Sequence, residues 1–244
     1  MDEETALRRV IGLADACELL AAATAFPGDD VAAALGDGSL VADARACLAD
    51  AGLGADEARA ACAAWDALAG RDAAELGGAL RRAHSLLHVR QGDGVAAFPY
   101  ESAFRFVRDG HGGNPGLFRS PVTQDVEAQM RAAGVLPLDA RTEPCDSVWQ
   151  EASFASFLLG SEAAALSQGD AEDAAAWHGR AGDFLAGHLL TWLPDLLSAT
   201  ARLAAAWAEE GSLPADAARY REGLGAWGAH AADLLAAHAA RAPR

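Results

Sequence analysis

The chain contains no lysine; all 19 of its basic residues are arginine. A phosphate-binding P-loop and Schiff-base chemistry both require a lysine amine, so both are excluded. Its four cysteines, Cys17, Cys47, Cys62 and Cys145, show no C-x-x-C spacing. They read as small core residues with reduced thiols rather than as a metal or disulfide framework. No window approaches the roughly 18 uninterrupted apolar residues of a membrane span. The opening M-D-E-E-T-A-L-R-R-V has acids where an export signal has a basic region, so a cytoplasmic protein is expected, without direct membrane insertion. Alternating Val/Ile/Thr/Tyr runs are missing as well, and no strand is expected. Positive charge is scarce: the formal net charge is -16 and the pI is about 4.7. Nucleic acid and anionic membrane surfaces are therefore poor partners, because both select for concentrated positive charge. A basic peptide is attracted, over a Debye length of about 8 Å at physiological salt.

What is present points to helices. With 52% hydrophobic residues in 244, the chain can bury a sizeable core, and alanine-rich periodic segments punctuated by Gly and Pro predict an all-α protein. Helices are expected over Glu4–Phe26, Val31–Leu35, Leu40–Leu48, Ala55–Leu68 and Ala74–Val89, the first stopped by Pro27-Gly28. His84 and His88 stand four apart, a spacing that can bind metal, but no third ligand is nearby. Gln91–Ala97 reads as a loop in which Gly92-x-Gly94-x-x-Ala97 has no preceding strand to make it a dinucleotide site. Phe98–Phe106 is an aromatic cluster carrying Glu101 and Arg105. A flexible loop is expected at about 108–119. Ser120-Pro121 then caps a helix that Gly134 ends, and a linker at about 135–142 follows.

The stretch from Thr142 to Pro194 organises the rest. Thr142, Pro144 and Asp146 form a helix-start signature, and Val148, Ala152, Ala155 and Leu159 recur along one face. Trp149, Phe154, Phe157 and Leu158 widen the apolar band, which predicts burial on more than one side. A second helix is expected from about Ala171 to Trp192, with Pro194 starting a third. The last helix runs from Pro214 to about Ala240, where Gly223, Gly225 and Gly228 allow either a bend or a close helix contact.

Glu143-Pro144-Cys145-Asp146, followed by Trp149, Glu151, Phe154 and Phe157-Leu158, resembles the E-P-x-D-H signature helix of the TorD/DmsD-like redox-enzyme maturation chaperones. Phe184, His188, Leu189 and Trp192 resemble that family's F-x-x-x-H-L-x-x-W, and Pro99-Tyr100-Glu101-Ser102 its P-Y-x-S segment. The three elements occur in the family's order. Ser147 stands where the family has histidine, so of its Asp-His pair only Asp146 carries over.

The resemblance implies a single-domain multi-helix bundle over residues 1–244, monomeric or a domain-swapped dimer. It also implies a chaperone that binds the twin-arginine signal peptide of a molybdenum-cofactor oxidoreductase catalytic subunit and assists its folding, cofactor insertion and export. On that reading Glu143, Asp146 and Glu151 recognise arginine, and Tyr100, Trp149, Phe154 and Trp192 take the apolar segment. Glu101 and Ser102 line the same side and His188 supports the site; no catalytic residue, metal or cofactor is implied. No H-E-x-x-H, G-x-S-x-G or paired E-x-x-H motif argues for an enzyme. A helical interaction scaffold or small-ligand regulator remains the alternative.

Overall fold

A computed structural model describes residues 3–89, 94–113, 115–116, 118–137 and 142–242. The expected Gly92 turn and part of the linker lie outside the described residues. Among the described residues twelve α-helices follow one another: α1 (Glu3–Thr24), α2 (Asp29–Asp37), α3 (Ser39–Asp50), α4 (Ala55–Ala61), α5 (Ala63–Asp66), α6 (Ala73–His88), α7 (Glu101–Arg108), α8 (Pro121–Ala132), α9 (Val148–Ser167), α10 (Ala171–Phe184), α11 (Leu190–Glu209) and α12 (Ala215–Ala239). A π-helical turn, Leu185–Leu189, joins α10 to α11. Among the described residues there is no strand, only an isolated bridge between Tyr100 and Ser147. The all-α single-domain fold expected from the sequence is the one observed.

α9 lies at the centre, flanked by α1 and α10, while α11 and α12 pack along each other. Its face Val148, Ala152, Ala155 and Leu159 is buried, as the periodicity requires. Phe157, expected inside the widened apolar band, is instead partly exposed at the outer edge of α9, stacked against Phe154 and edge-on to Trp177. The largest fully buried side chains are Trp65, Trp192, Trp227, Tyr220 and Phe184. The indole donors in this core find partners: Trp65 Nε1 donates to the Tyr220 carbonyl at 2.9 Å, and Trp227 Nε1 to the Ala44 carbonyl at 2.9 Å. All four cysteines are buried and free, and burial pushes the Cys47 thiol up to about 12 and Cys62 to about 11.

Several boundaries differ from the sequence reading. The expected helix over Ala55–Leu68 breaks at Cys62, which leaves helical geometry and redirects the chain so that Trp65 enters the core. The signature helix starts at Val148 rather than in the Thr142–Asp146 segment. Ser147 is its cap, accepting the Gln150 N–H at 3.4 Å. Pro194 does not begin a new helix; it lies inside α11, because the π turn has already shifted the hydrogen-bond register upstream of it. The glycines of α12 serve close packing. A Cβ on Gly223 would stand 2.4 Å from Trp65 Cδ1, and one on Gly228 2.3 Å from Leu197 Cδ1. Among the described residues, no single helix is long and apolar enough to cross a membrane.

Candidate functional site

The P-Y-E-S and E-P-C-D-S segments, more than forty positions apart, run antiparallel for one bridge. Glu101 N–H donates to the Asp146 carbonyl at 2.8 Å, and Val148 N–H to the Pro99 carbonyl at 2.9 Å. This pairing sets the first turns of α7 and α9 side by side. The Asp146 carboxylate completes it by accepting the Ser102 N–H at 3.0 Å, capping α7 from another part of the chain. Burial raises the Asp146 pKa, and the hydrogen bonds from Ser102 offset part of that rise. Asp146 Oδ1 has no hydrogen-bond partner.

Beneath this junction lies a chain of buried polar groups. Glu101, fully buried, accepts from Arg105 at 2.6 Å, while its other oxygen pairs with His188 Nδ1 at 2.8 Å. His188 Nε2 meets Asp125 of α8 at 2.8 Å. A carboxylate at each ring nitrogen favours the charged form of His188, and the Gln129 amide nitrogen also meets Nε2 at 3.1 Å. Burial opposes its charge, but Glu101 and then Asp125 outweigh it and raise the pKa. The same contacts lower Glu101: burial alone would raise it, and the bond and charge of His188, helped by Arg105, prevail. Glu151 behaves oppositely. It is fully buried beside Glu101 and accepts from Trp192 Nε1 at 2.9 Å. Burial first, then the charge of Glu101, push it well above the carboxylate range, so Glu151 is the protonated member of the pair. Glu101, Glu151 and His188 offer ligand atoms within 4.8 Å of one another.

The exposed rim above is formed by Tyr100, Glu143 and Trp149, each partly buried. Tyr100 and Trp149 meet edge to face at 6.0 Å, and Trp149 packs at 6.4 Å from His84. Burial, then the neighbouring Glu143, push the Tyr100 hydroxyl up to about 12. Glu143 is raised by burial too, the Tyr100 hydroxyl partly counteracting, and its Oε1 has no partner. His84 and His88 lie behind this rim rather than in a metal site. Their rings are 4.8 Å apart, and His88 Nδ1 pairs with the Ala97 carbonyl at 2.8 Å. Burial and then Arg221 hold His84 down at about 4 and His88 well below its ordinary value.

The structure therefore gathers the ten sequence-derived site residues around one junction but sorts them by depth. Asp146, Glu151, Phe154, His188 and Trp192 are buried, as are Glu101 and Ser102, and the accessible positions are Tyr100, Glu143 and Trp149. Asp125 was missed by the sequence reading. Its side chain is mostly exposed on α8, and only the tertiary approach to His188 gives it a role. A separate open groove of about 440 Å³ between α1, α2 and α3 has acids, among them Asp15, Asp43 and Asp50, around Leu19 and Leu40. Burial, and then Glu18, Asp50 and Asp43, raise the Asp15 pKa.

Among the described residues the chain is all-α, the fold class expected of a redox-enzyme maturation chaperone. The family comparison agrees. The family model described as nitrate reductase delta subunit matches residues 53–198, well over half of the chain. The chain belongs to that family, which acts with molybdoenzyme catalytic subunits as a maturation chaperone. The match includes all three motifs and leaves α1, α2, α3 and α12 outside it. No curated protein and no solved structure matches the chain.

Proposed function

We propose that this chaperone works in the cytoplasm and holds the N-terminal twin-arginine signal peptide of a molybdenum-cofactor oxidoreductase subunit until folding and cofactor insertion are complete. The observation that carries the reading is the rim: the partly buried carboxyl of Glu143, which bonds the Tyr100 hydroxyl and keeps one solvent-shielded oxygen without a hydrogen-bond partner, lies next to two half-buried aromatic rings, Tyr100 and Trp149. A guanidinium pairs with such a carboxylate through a planar fork, and the apolar part of the peptide lies on the rings. Asp146 and Glu101 act from below by joining the starts of α7 and α9, Glu151 ties α9 to Trp192 of α11, and Phe154 and Trp192 hold the floor. Release follows once folding or export competes for the same segment, as differential binding requires. The acid-lined groove of α1–α3 offers a basic peptide a second landing surface, and the test separates the two.

The test begins with capture of the protein's partners from its native cytosol, identified by mass spectrometry. Recovery of an oxidoreductase precursor with its leader intact is expected. Peptides copied from that leader, with Arg-Arg or Lys-Lys, are then titrated by fluorescence anisotropy. The proposal expects tighter binding of the arginine form and loss of that preference in Glu143→Gln but not in Asp43→Asn. Recovery of no redox subunit, or equal binding of the two peptides, would instead support a general interaction scaffold.

A further inference from the structure

A second buried cluster lies toward the C-terminal end of α9, about three turns along the helix from Glu151. Glu162 of α9, His178 of α10 and His238 of α12 are all buried, and their ligand atoms lie within 4.8 Å of one another. His178 Nδ1 is 3.1 Å from Glu162 Oε1, and His238 Nε2 is 3.0 Å from Glu162 Oε2. The two imidazoles stand 4.6 Å apart, nearly edge to face. We propose that Glu162, His178 and His238 form a binding site for a divalent transition metal of the Zn²⁺ type, which fastens α10 and α12 to the central helix.

The hydrogen bonds beyond the cluster favour a cation at its centre. His178 Nε2 lies 3.0 Å from the Arg241 carbonyl oxygen, which can only accept, so Nε2 carries the proton. In the neutral ring Nδ1 is then a lone pair, and it faces a carboxylate oxygen, which is also an acceptor. Two acceptors at 3.1 Å need a cation or an extra proton between them. A backbone carbonyl that fixes the tautomer of a ligating histidine is the usual outer support of a metal site. Two imidazoles and one carboxylate suit Zn²⁺ in donor type, and metal–ligand bonds of about 2.0 Å on a tetrahedron put neighbouring ligand atoms about 3.3 Å apart. The 3.1 and 3.0 Å contacts are made to the two different oxygens of Glu162, and all three ligand atoms lie within 4.8 Å of one another, so a bound ion would draw them together around one of those oxygens.

The remaining coordination position also has room. A cavity of about 50 Å³ borders Glu162, His178 and His238, enough for a water or a small anion as fourth ligand. Arg9 of α1 lines the same cavity, and its Nε has no hydrogen-bond partner. Its charge repels a bare cation but suits a metal carrying an anionic fourth ligand. The Glu101–Glu151–His188 cluster differs in its partners: Arg105, Asp125 and Trp192 already hydrogen-bond its side chains. His238 also lies beyond the residues matched by the family model, so the site belongs to this chain rather than to the shared core.

The full-length untagged protein, stripped with a chelator and dialysed, is titrated with ZnCl₂ by calorimetry and followed by thermal unfolding. The expected result is saturation at one equivalent, with a melting temperature that rises with Zn²⁺ concentration. Replacing Zn²⁺ with Co²⁺ on the unaltered protein should give the visible absorption of a tetrahedral nitrogen and oxygen site, which requires no variant to fold. Glu162→Gln and His238→Gln, checked for native helicity, should abolish saturable binding. Absence of binding to the unaltered protein, or binding that survives both variants, overturns the proposal. So does a loss that follows His188→Gln instead, since the metal would then belong to the other cluster.

Discussion

Trp192 donates its indole N–H to Glu151 Oε2 at 2.9 Å, so the two motif-bearing helices are joined through a carboxyl group that no solvent reaches. The bond ties α9 to α11 and keeps both side chains below the accessible rim. It also places a carboxylic acid where its ionisation is costly, since Glu101 already holds a negative charge beside it.

Glu151→Gln should therefore stabilise the protein increasingly as pH rises. Glu151 has a folded-state pKa well above the ordinary 4.5. Below pH 4.5 it is protonated in both folded and unfolded chains, and its contribution is fully present. As pH rises, the unfolded chain gives up the proton while the folded chain retains it, and stability is lost toward the folded pKa. Glutamine keeps an oxygen acceptor for Trp192 and has no proton to lose. Urea unfolding of both proteins at pH 5 and pH 8 checks this; an equal difference at the two values would count against a protonated Glu151.

Acid should act behind the same rim, through His84. Its folded-state pKa of about 4 lies below the ordinary 6.5, so the neutral ring contributes stability above pH 6.5 that is lost as pH falls toward 4. The difference corresponds to about 3 kcal/mol for this one group. His84→Gln should flatten the decline between pH 6.5 and 4 in urea midpoints. An unchanged slope would mean that His84 already titrates near its ordinary value.

The Asp146 cap separates shape from charge. Asp146→Ala removes the acceptor for the Ser102 N–H and should cost about 1 to 2 kcal/mol, the usual range for a lost helix cap. Asp146→Asn retains an oxygen in the same place and should keep most of that stability. Equal losses in denaturant titrations would show that the carboxylate charge, rather than the cap, holds the two segments together.

Two glycines on neighbouring parts of the bundle should respond to alanine in opposite directions. At Gly160, in α9, a Cβ meets nothing within 4 Å, so Gly160→Ala should gain about 0.5 to 1 kcal/mol from helix propensity. At Gly223 the Cβ would collide with Trp65, and overpacking should cost about 1 to 3 kcal/mol despite the same propensity gain. Thermal melts of the two variants, run side by side, read the difference directly.

The sequence by itself determined most of the helices, though not α7, which read only as an aromatic cluster, because apolar periodicity and capping are local: Ser120 with Pro121, and Gly134 with its positive φ, mark α8 without reference to the rest of the chain. It also carried the family pattern, since its motifs are short and ordered. Burial within the site was not legible in this way. Glu143 and Glu151 read alike as acids near a helix start, yet one reaches the rim and the other is sealed under Trp192 and Glu101. Nor could spacing reveal that Asp125 completes His188, or that His178 and His238, sixty positions apart, converge on Glu162. Local periodicity fixes which face of a helix is apolar, but only the packing of helices against one another decides which polar groups meet, how far they are from water, and so which of them keep their protons.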